Sequence, residues 1–333
     1  MIVAKDGSGD FTTVQEAVNA IPENASGWTV IHIKNGEYKE KLQILRPRVK
    51  LVGESAEGTV LYFDDYAKKT FPDGREYGTF NSQSFLIGAD DFEAENLTIS
   101  NTAGSGDKMG QAVAVYADGD RMVFRNCRFT ASQDTLFTAP LPPKPVERAA
   151  FGGPRDEAPR RKLRQLYERC YIAGDVDFIF GSATAVFKDC EIFSKKRLVP
   201  EGGEKTIHGY ITAASTDEEN PYGYVFANCR LTGDAPENSV YLGRPWRDYG
   251  HTVFLNCWMG GHIKPEGWHY WKPEREKTAR YEEFGSTGPG AGRRESRVPW
   301  SKLLTAEEAG QYDLNRVLSG QDGWSPLKEA ETK

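Results

Sequence analysis

Six short strings along this chain share one pattern, and that pattern restricts its fold more than any other feature. They are FEAENLTI (92–99), MVFRNCRF (122–129), LYERCYI (166–172), AVFKDCEI (185–192), YVFANCRL (224–231) and TVFLNCWM (252–259). In each, apolar and polar residues roughly alternate up to a polar residue. Cys or Leu follows (97, 127, 170, 190, 229, 257), and an apolar side chain comes one or two residues later. Alternation with period two is the mark of a strand with one buried face. The Cys/Leu positions lie 30, 43, 20, 39 and 28 residues apart. Such spacing is too irregular for a helical solenoid of fixed period but natural for β-coils with loops of different length. The pattern therefore predicts an all-β parallel β-helix. A β-sandwich is the alternative, but sandwiches alternate without repeating a residue string. Asn96, Asn126, Asn228 and Asn256, with Asp189, recur just before the Cys/Leu and suggest a stacked polar ladder at a turn.

The ends agree with a capped coil. Thr12 or Thr13 followed by Gln15 or Glu16 predicts a short helix through Val18, stopped before Pro22, which would cover the otherwise open first coil. Thr305 with Glu308 repeats the device, and the segment beyond Trp300 reads as short helices and loops packed outside. The expectation is one catalytic unit over 1–333, interrupted at 141–164 by an inserted loop with five prolines and seven basic against three acidic residues. That loop reads either as a cation-rich flap beside a cleft or as a solvated insert of no consequence.

Composition narrows the partners. Of 333 residues, 38% are hydrophobic and 12% aromatic, enough for a large core. The net charge of −6, without a polybasic face, gives no reason to expect nucleic acid or an anionic membrane. No apolar stretch approaches the ~20 residues that span a bilayer. Five cysteines without a CxxC pair and five histidines without an HExxH spacing point to no metal, and no cofactor is expected. Met1 runs into IVAKDGSGDF with no basic start and no apolar core of a signal peptide, so the expectation is either a cytoplasmic protein or one whose export signal has been replaced.

Three motifs carry chemistry: QDTLF (133–137), DVDFIFG (175–181) and LGRPW (242–246). Each sets a charged residue, Asp134, Asp177 or Arg244, among apolar or aromatic neighbours, where an unpaired charge is costly and a pKa moves far from its solution value. Two carboxylates and a guanidinium suit acyl transfer without a serine or cysteine nucleophile: one carboxylate attacks, one shuttles a proton, and the arginine keeps the attacker ionised. The competing reading makes both aspartates turn or ladder carboxylates of the coil.

These motifs, with AKDGSGDFTTVQEAV, QAVAVYADGDRMVFRNCRF, CYIAGDVDFIFG, ITAAS, YLGRPW and GWHYW in the same order, resemble the pectin methylesterases (pectinesterases, carbohydrate esterase family 8) over most of residues 4–271. The resemblance implies a right-handed parallel β-helix, secreted or periplasmic and monomeric, acting on pectin, the methylated homogalacturonan. It implies Asp177 as nucleophile and Asp134 as general acid and then base. Gln111 and Gln133 would form the oxyanion hole, and Arg244 would hold Asp177 and lower its pKa. Trp246 and Phe180 would contact sugar, as would Phe137; Trp268 and Trp271 would lie near the cleft or pack over the coil.

Three departures from the family pattern stand out. Phe137 replaces a common tyrosine. Asp175 replaces a small or hydroxylated residue and should add negative charge near the site. The insertion puts Asp134 and Asp177 43 positions apart. Cys170 and Cys190 stand one coil apart at the same template position, within Cα reach of a bridge. The resemblance supports a disulfide there, with a ladder of free thiols as the alternative. A non-catalytic carbohydrate-binding β-helix, or a related esterase or thioesterase acting on another ester, is the rival function.

Overall fold

A computed structural model of the chain describes residues 1–147, 149–198, 206–292 and 294–327. From Thr29 to Phe284 consecutive strands belong to different sheets, and each pairs in parallel with its counterpart one coil on. Thus Met122–Arg125, Arg128–Thr130 and Leu136–Thr138 form one coil, and Arg164–Glu168, Tyr171–Gly174 and Val176–Gly181 form the next. The register runs Phe124 to Tyr167, Phe129 to Ile172 and Leu136 to Ile179. Repeated along the chain, this builds three parallel sheets of eleven, eight and seven strands among the described residues, the parallel β-helix that the repeat predicts.

The six template strings supply six consecutive strands of the sheet of eleven and the turns that lead from them into the sheet of eight. Their inward aromatics stack coil upon coil: Phe124 on Tyr167 at 5.0 Å, Tyr167 on Phe187 at 4.8 Å, Phe187 on Phe226 at 4.4 Å and Phe226 on Phe254 at 4.5 Å. Three residues on, Leu97 and the five cysteines line the same interior, each at most 2% exposed. The recurring polar residue owes its place mainly to the backbone. Asn96, Asn126, Asp189, Asn228 and Asn256 all have φ between 49° and 55°, the left-handed region in which Asn and Asp are the readiest of the side-chain-bearing residues. Arg169 holds the same conformation at the one coil whose string lacks the amide or carboxylate. A side-chain ladder bond joins Asn126 Nδ2 to Asn96 Oδ1 at 2.7 Å.

The first coil is covered by the helix Val14–Asn19, whose Val14, Ala17 and Val18 are buried and whose N-cap Thr13 accepts from the Glu16 amide. At the far end Thr305 and Glu308 make the full reciprocal capping box of helix Ala306–Ala309. Helix Leu314–Ser319 then lays Val317 and Leu318 on the outer valines of the eleven-stranded sheet, Val123, Val186, Val225 and Val253.

Two expectations fail. The five cysteines are free buried thiols, and no bridge joins Cys170 to Cys190. Their sulfurs instead meet backbone carbonyls, that of Cys170 facing Phe124 O at 3.4 Å and that of Cys190 facing Tyr167 O at 3.3 Å. The insertion is also not a free cationic flap, because three of its arginines are neutralised by aspartates from outside it. Arg155 pairs with Asp118 at 2.6 Å, Arg161 with Asp90 at 2.7 Å, and Arg164 with Asp120 and Asp322 at 2.6 Å each.

Two outcomes follow from this packing. Thiol titration of the unfolded, unreduced protein should count five reactive cysteines, and a count of three would restore the bridge. Asn228→Val, which forces a β-branched residue into the left-handed turn, should lower stability by roughly 1–2 kcal/mol, with Asn228→Gly far milder. Equal thermal unfolding of the two variants would contradict the turn's backbone requirement.

Candidate active site

The seven-stranded sheet presents a cleft of about 350 Å³. Asp134 lies just before strand Leu136–Thr138, and Asp177 lies within the neighbouring strand Val176–Gly181. Both aspartates have left-handed backbones, φ 64° and 51°. At Asp177 the pairing with strand Gly209–Ala214 slips: Val176 faces Tyr210 and Ile179 faces Thr212, so Asp177 and Phe178 together oppose Ile211. A bulge of this kind re-aims a side chain that ordinary alternation would commit elsewhere. The Asp134 amide is tied to Val176 O at 3.0 Å, which couples the two kinks.

Arg244 arrives from the next coils, directly after strand Val240–Gly243, with its amide on Thr212 O at 2.9 Å. Gly243 is required there, since a Cβ would stand 2.0 Å from Thr212 Oγ1. The guanidinium grips Asp177 with two bonds, Nε to Oδ1 at 2.8 Å and Nη2 to Oδ2 at 2.7 Å. It is held flat between Tyr210 and Trp271, whose ring centres are 3.8 and 3.9 Å from its central carbon. Burial alone would lower the Arg244 pKa, but the Asp177 charge and hydrogen bonds outweigh it and the net shift is upward.

Asp134, 8% exposed, has no such partner among the described residues. Burial pushes its pKa well above the usual carboxylate range, and the Asp177 charge pushes it further, with Arg244 opposing. Asp175 adds a smaller push of the same sign, as its negative charge near the site predicts. It does not line the cleft: it is itself buried, and its Oδ1 accepts from the Val176 amide at 2.6 Å.

Gln111 and Gln133 sit side by side on adjacent coils, joined by a parallel bridge, and both line the cleft. Arg197, anchored on Asp107 at 2.5 Å, reaches Gln133 Oε1 at 3.5 Å and so leaves the amide nitrogen of Gln133 as a donor. Gly106 packs behind it, where a Cβ would come within 2.8 Å of Gln133 Cβ.

Aromatic side chains wall the cleft. Trp246 lies edge to face with Phe180 at 5.8 Å and with Phe151 at 6.2 Å, while Phe80 lies across at 6.4 Å. Phe137 does not reach the cleft surface. It is fully buried and packs beneath Phe180 at 4.8 Å and Phe80 at 5.0 Å, so it supports the wall instead of contacting a ligand. The GWHYW motif divides: Trp271 lines the cleft, whereas Trp268 is 1% exposed and packs on Tyr281 at 4.4 Å. Sequence reasoning missed Phe80, Phe151 and Tyr210. Only Tyr210 had a signal, its position directly before ITAAS. Of the insertion, Pro145, Val146, Glu147 and Phe151 face the cleft, and Glu147 pairs with Lys272. Among the described residues no group of three or more His, Cys, Asp or Glu is arranged to hold a metal.

Comparison with known proteins shows the family. The pectinesterase family model matches residues 1–141 and 146–321. Pectinesterase 31 of Arabidopsis thaliana is 35% identical over 318 residues, covering 93% of this chain and 89% of the relative. A pectin methylesterase solved in complex with a hexasaccharide is 33% identical with a TM-score of 0.79, covering 98% of this chain and 97% of its own. The carrot pectin methylesterase is 31% identical with a TM-score of 0.79, covering 100% and 96% respectively. This chain belongs to the pectinesterase family, and it is a carboxylic ester hydrolase.

Proposed function

We propose that the protein removes methyl groups from the C6 esters of polygalacturonate through a covalent aspartyl intermediate. One observation carries the reading: two buried carboxylates share one cleft, but only Asp177 is clamped by a guanidinium. An ionised carboxylate beside a neutral one is the pair that nucleophilic and acid catalysis require.

In this scheme an Asp177 oxygen attacks the ester carbonyl carbon, and the carbonyl electrons move onto its oxygen. The side-chain amides of Gln111 and Gln133 donate to that oxyanion. As the tetrahedral centre collapses, the bond to the methoxy oxygen breaks and Asp134 gives up its proton, so methanol leaves. The enzyme then holds a mixed anhydride, and Asp134 is ionised. A water molecule loses a proton to Asp134 and attacks the galacturonyl carbon. Asp177 departs as carboxylate, and both groups return to their starting state. Trp246 and Phe180 offer flat faces to the apolar side of a pyranose.

The three sheets run from Ile2 to Leu303, which supports one catalytic unit. Covered first-coil edges favour a monomer. A methylated homogalacturonan substrate would place the enzyme outside the cell, in the periplasm or at the cell wall. Among the described residues no helix is long and apolar enough to cross a membrane.

The decisive assay is methanol release from highly methylated pectin without shortening of the chain. Shortening without methanol would refute the esterase reading. Asp177→Ala should abolish turnover in a folded protein, and Gln133→Ala should lower kcat by about 10² to 10³. Wild-type kcat in either variant would overturn the assigned role.

Asp134 also makes a pH prediction. Its pKa is raised in the fold, so its contribution to stability is complete below the unfolded value of about 3.9 and is lost as pH rises through the folded value. Asp134→Asn escapes that loss. The Tm difference, variant minus parent, should therefore grow more positive above pH about 4. A difference that stays constant from acid to neutral pH would mean that Asp134 is ionised in the fold.

A further inference from the structure

A second cavity, of about 510 Å³, opens on the face of the same seven-stranded sheet, near its first strand. Leu42 and Gln43 of edge strand Leu42–Ile44 and Leu86 of the adjacent strand form part of it. Strand Leu136–Thr138, beside Asp134, is three strands away in the sheet order, roughly 14 Å at ~4.8 Å per strand. The two sites share a wall. Thr79 and Phe80 face the cleft, whereas Tyr77, Asn81 and Gln83 face the cavity.

The cavity has three chemical features. Asp65, 2% exposed, holds the ammonium groups of Lys41 and Lys69 at 2.5 Å each, so two cations meet one carboxylate and one positive charge is left over. Lys69 keeps 41% of its side chain exposed, enough to meet a ligand. Tyr77 stacks on Phe71 at 4.1 Å, and both lysine nitrogens approach the Tyr77 ring, at 5.4 and 5.2 Å. Gln83 is 6% exposed, and its Oε1 is buried without a hydrogen-bond partner among the described residues. A buried acceptor left unpaired costs free energy that a ligand hydroxyl would recover.

A ligand that answers all three features carries a negative charge, an apolar ring face and a hydroxyl donor. Inorganic anions lack the ring face, and neutral sugars lack the charge. We propose that this cavity binds an unesterified uronate unit of the polysaccharide, an anchoring site for chain that has already lost its methyl groups. The identity of the sugar rests on the pectinesterase reading given above. Lys69 meets the carboxylate, Tyr77 meets the ring, and Gln83 accepts from a hydroxyl. The shared wall at 77–83 lets one chain occupy the cavity and the cleft together.

The test is calorimetric titration of the full-length protein with unesterified hexagalacturonate, with maltohexaose as the uncharged control. Lys69→Gln removes the surplus charge while Lys41 still pairs Asp65, and Tyr77→Leu removes the ring while both charges remain. Each should weaken hexagalacturonate binding about fivefold, and maltohexaose should not bind at this site. The effect of Lys69→Gln should shrink at high salt, where charge is screened. Circular dichroism establishes that the variants are folded, and if Lys69→Gln is not, Tyr77→Leu decides alone. Folded variants that bind hexagalacturonate within about twofold of the parent would overturn the proposal. Methanol release by the parent protein is measured separately, so failure of the esterase chemistry and failure of this site remain distinct results.

Discussion

Coil-to-coil hydrogen bonding in register is the constraint on which everything else depends. Because each strand pairs in parallel with its counterpart one coil away, equivalent positions superpose and like side chains stack. The aromatic ladder from Phe124 to Phe254, the buried thiols and the left-handed turn residues are one arrangement repeated. A slip of one residue in any coil would turn its aromatic out of the core and leave a gap in the ladder. The same register brings Asp134, Asp177 and Arg244, far apart in the chain, together along one sheet: Asp134 just before one strand, Asp177 within the next, and Arg244 just after the strand two further on.

Within that frame the two cleft aspartates differ in their partners. Removing a carboxylate from water is costly unless its charge is paired and hydrogen-bonded. Arg244 meets that need for Asp177 with two short bonds, and the rings of Tyr210 and Trp271 fix the guanidinium plane. A planar, weakly hydrated cation suits such a slot better than an ammonium would. No cation clamps Asp134 in this way, and burial together with the Asp177 charge favours its neutral form. One arginine thus differentiates two otherwise similar residues. The left-handed backbones at both aspartates and the bulge at Asp177 are local strains that a rigid coil can hold.

Most of the scaffold was legible because its causes are local and repeated. The turn residue before the Cys or Leu is Asn or Asp in five of the six strings for a backbone reason, and Arg169 in the sixth shows that the conformation, more than the side chain, is what the coil requires. The charged site residues were legible because a charge among apolar neighbours stands out in a strand. What escaped had no repeat behind it. Phe80 and Phe151 come from irregular segments, and nothing in their sequence neighbourhood marks them as cleft walls. Phe137 was misplaced because alternation gives a side chain's face but not what is packed above it. Stacking distance allowed the Cys170–Cys190 bridge, but the thiols settle on carbonyls of the previous coil.

The insertion at 141–164 shows how far charge counted along a chain can differ from charge in space. Its basic excess suggests an electropositive flap, yet Asp90, Asp118, Asp120 and Asp322 come from distant positions to cancel it. What the insertion turns toward the cleft is apolar or acidic, Val146, Phe151 and Glu147. The cations that face the cleft belong elsewhere: Arg244, Arg247, Lys272 and Arg275, all from the later coils and their loops. Arg247 lies over the Trp246 ring at 4.8 Å and bonds to the Trp246 carbonyl, so it is bound into the wall. The acidic residues that these four cations face in the cleft are Asp134, Asp177 and Glu147, and burial and the Asp177 charge push the Asp134 pKa up. The field that an anionic chain meets therefore comes from the cleft's own wall and floor. It acts at short range and is less exposed to salt than a mobile surface loop would be.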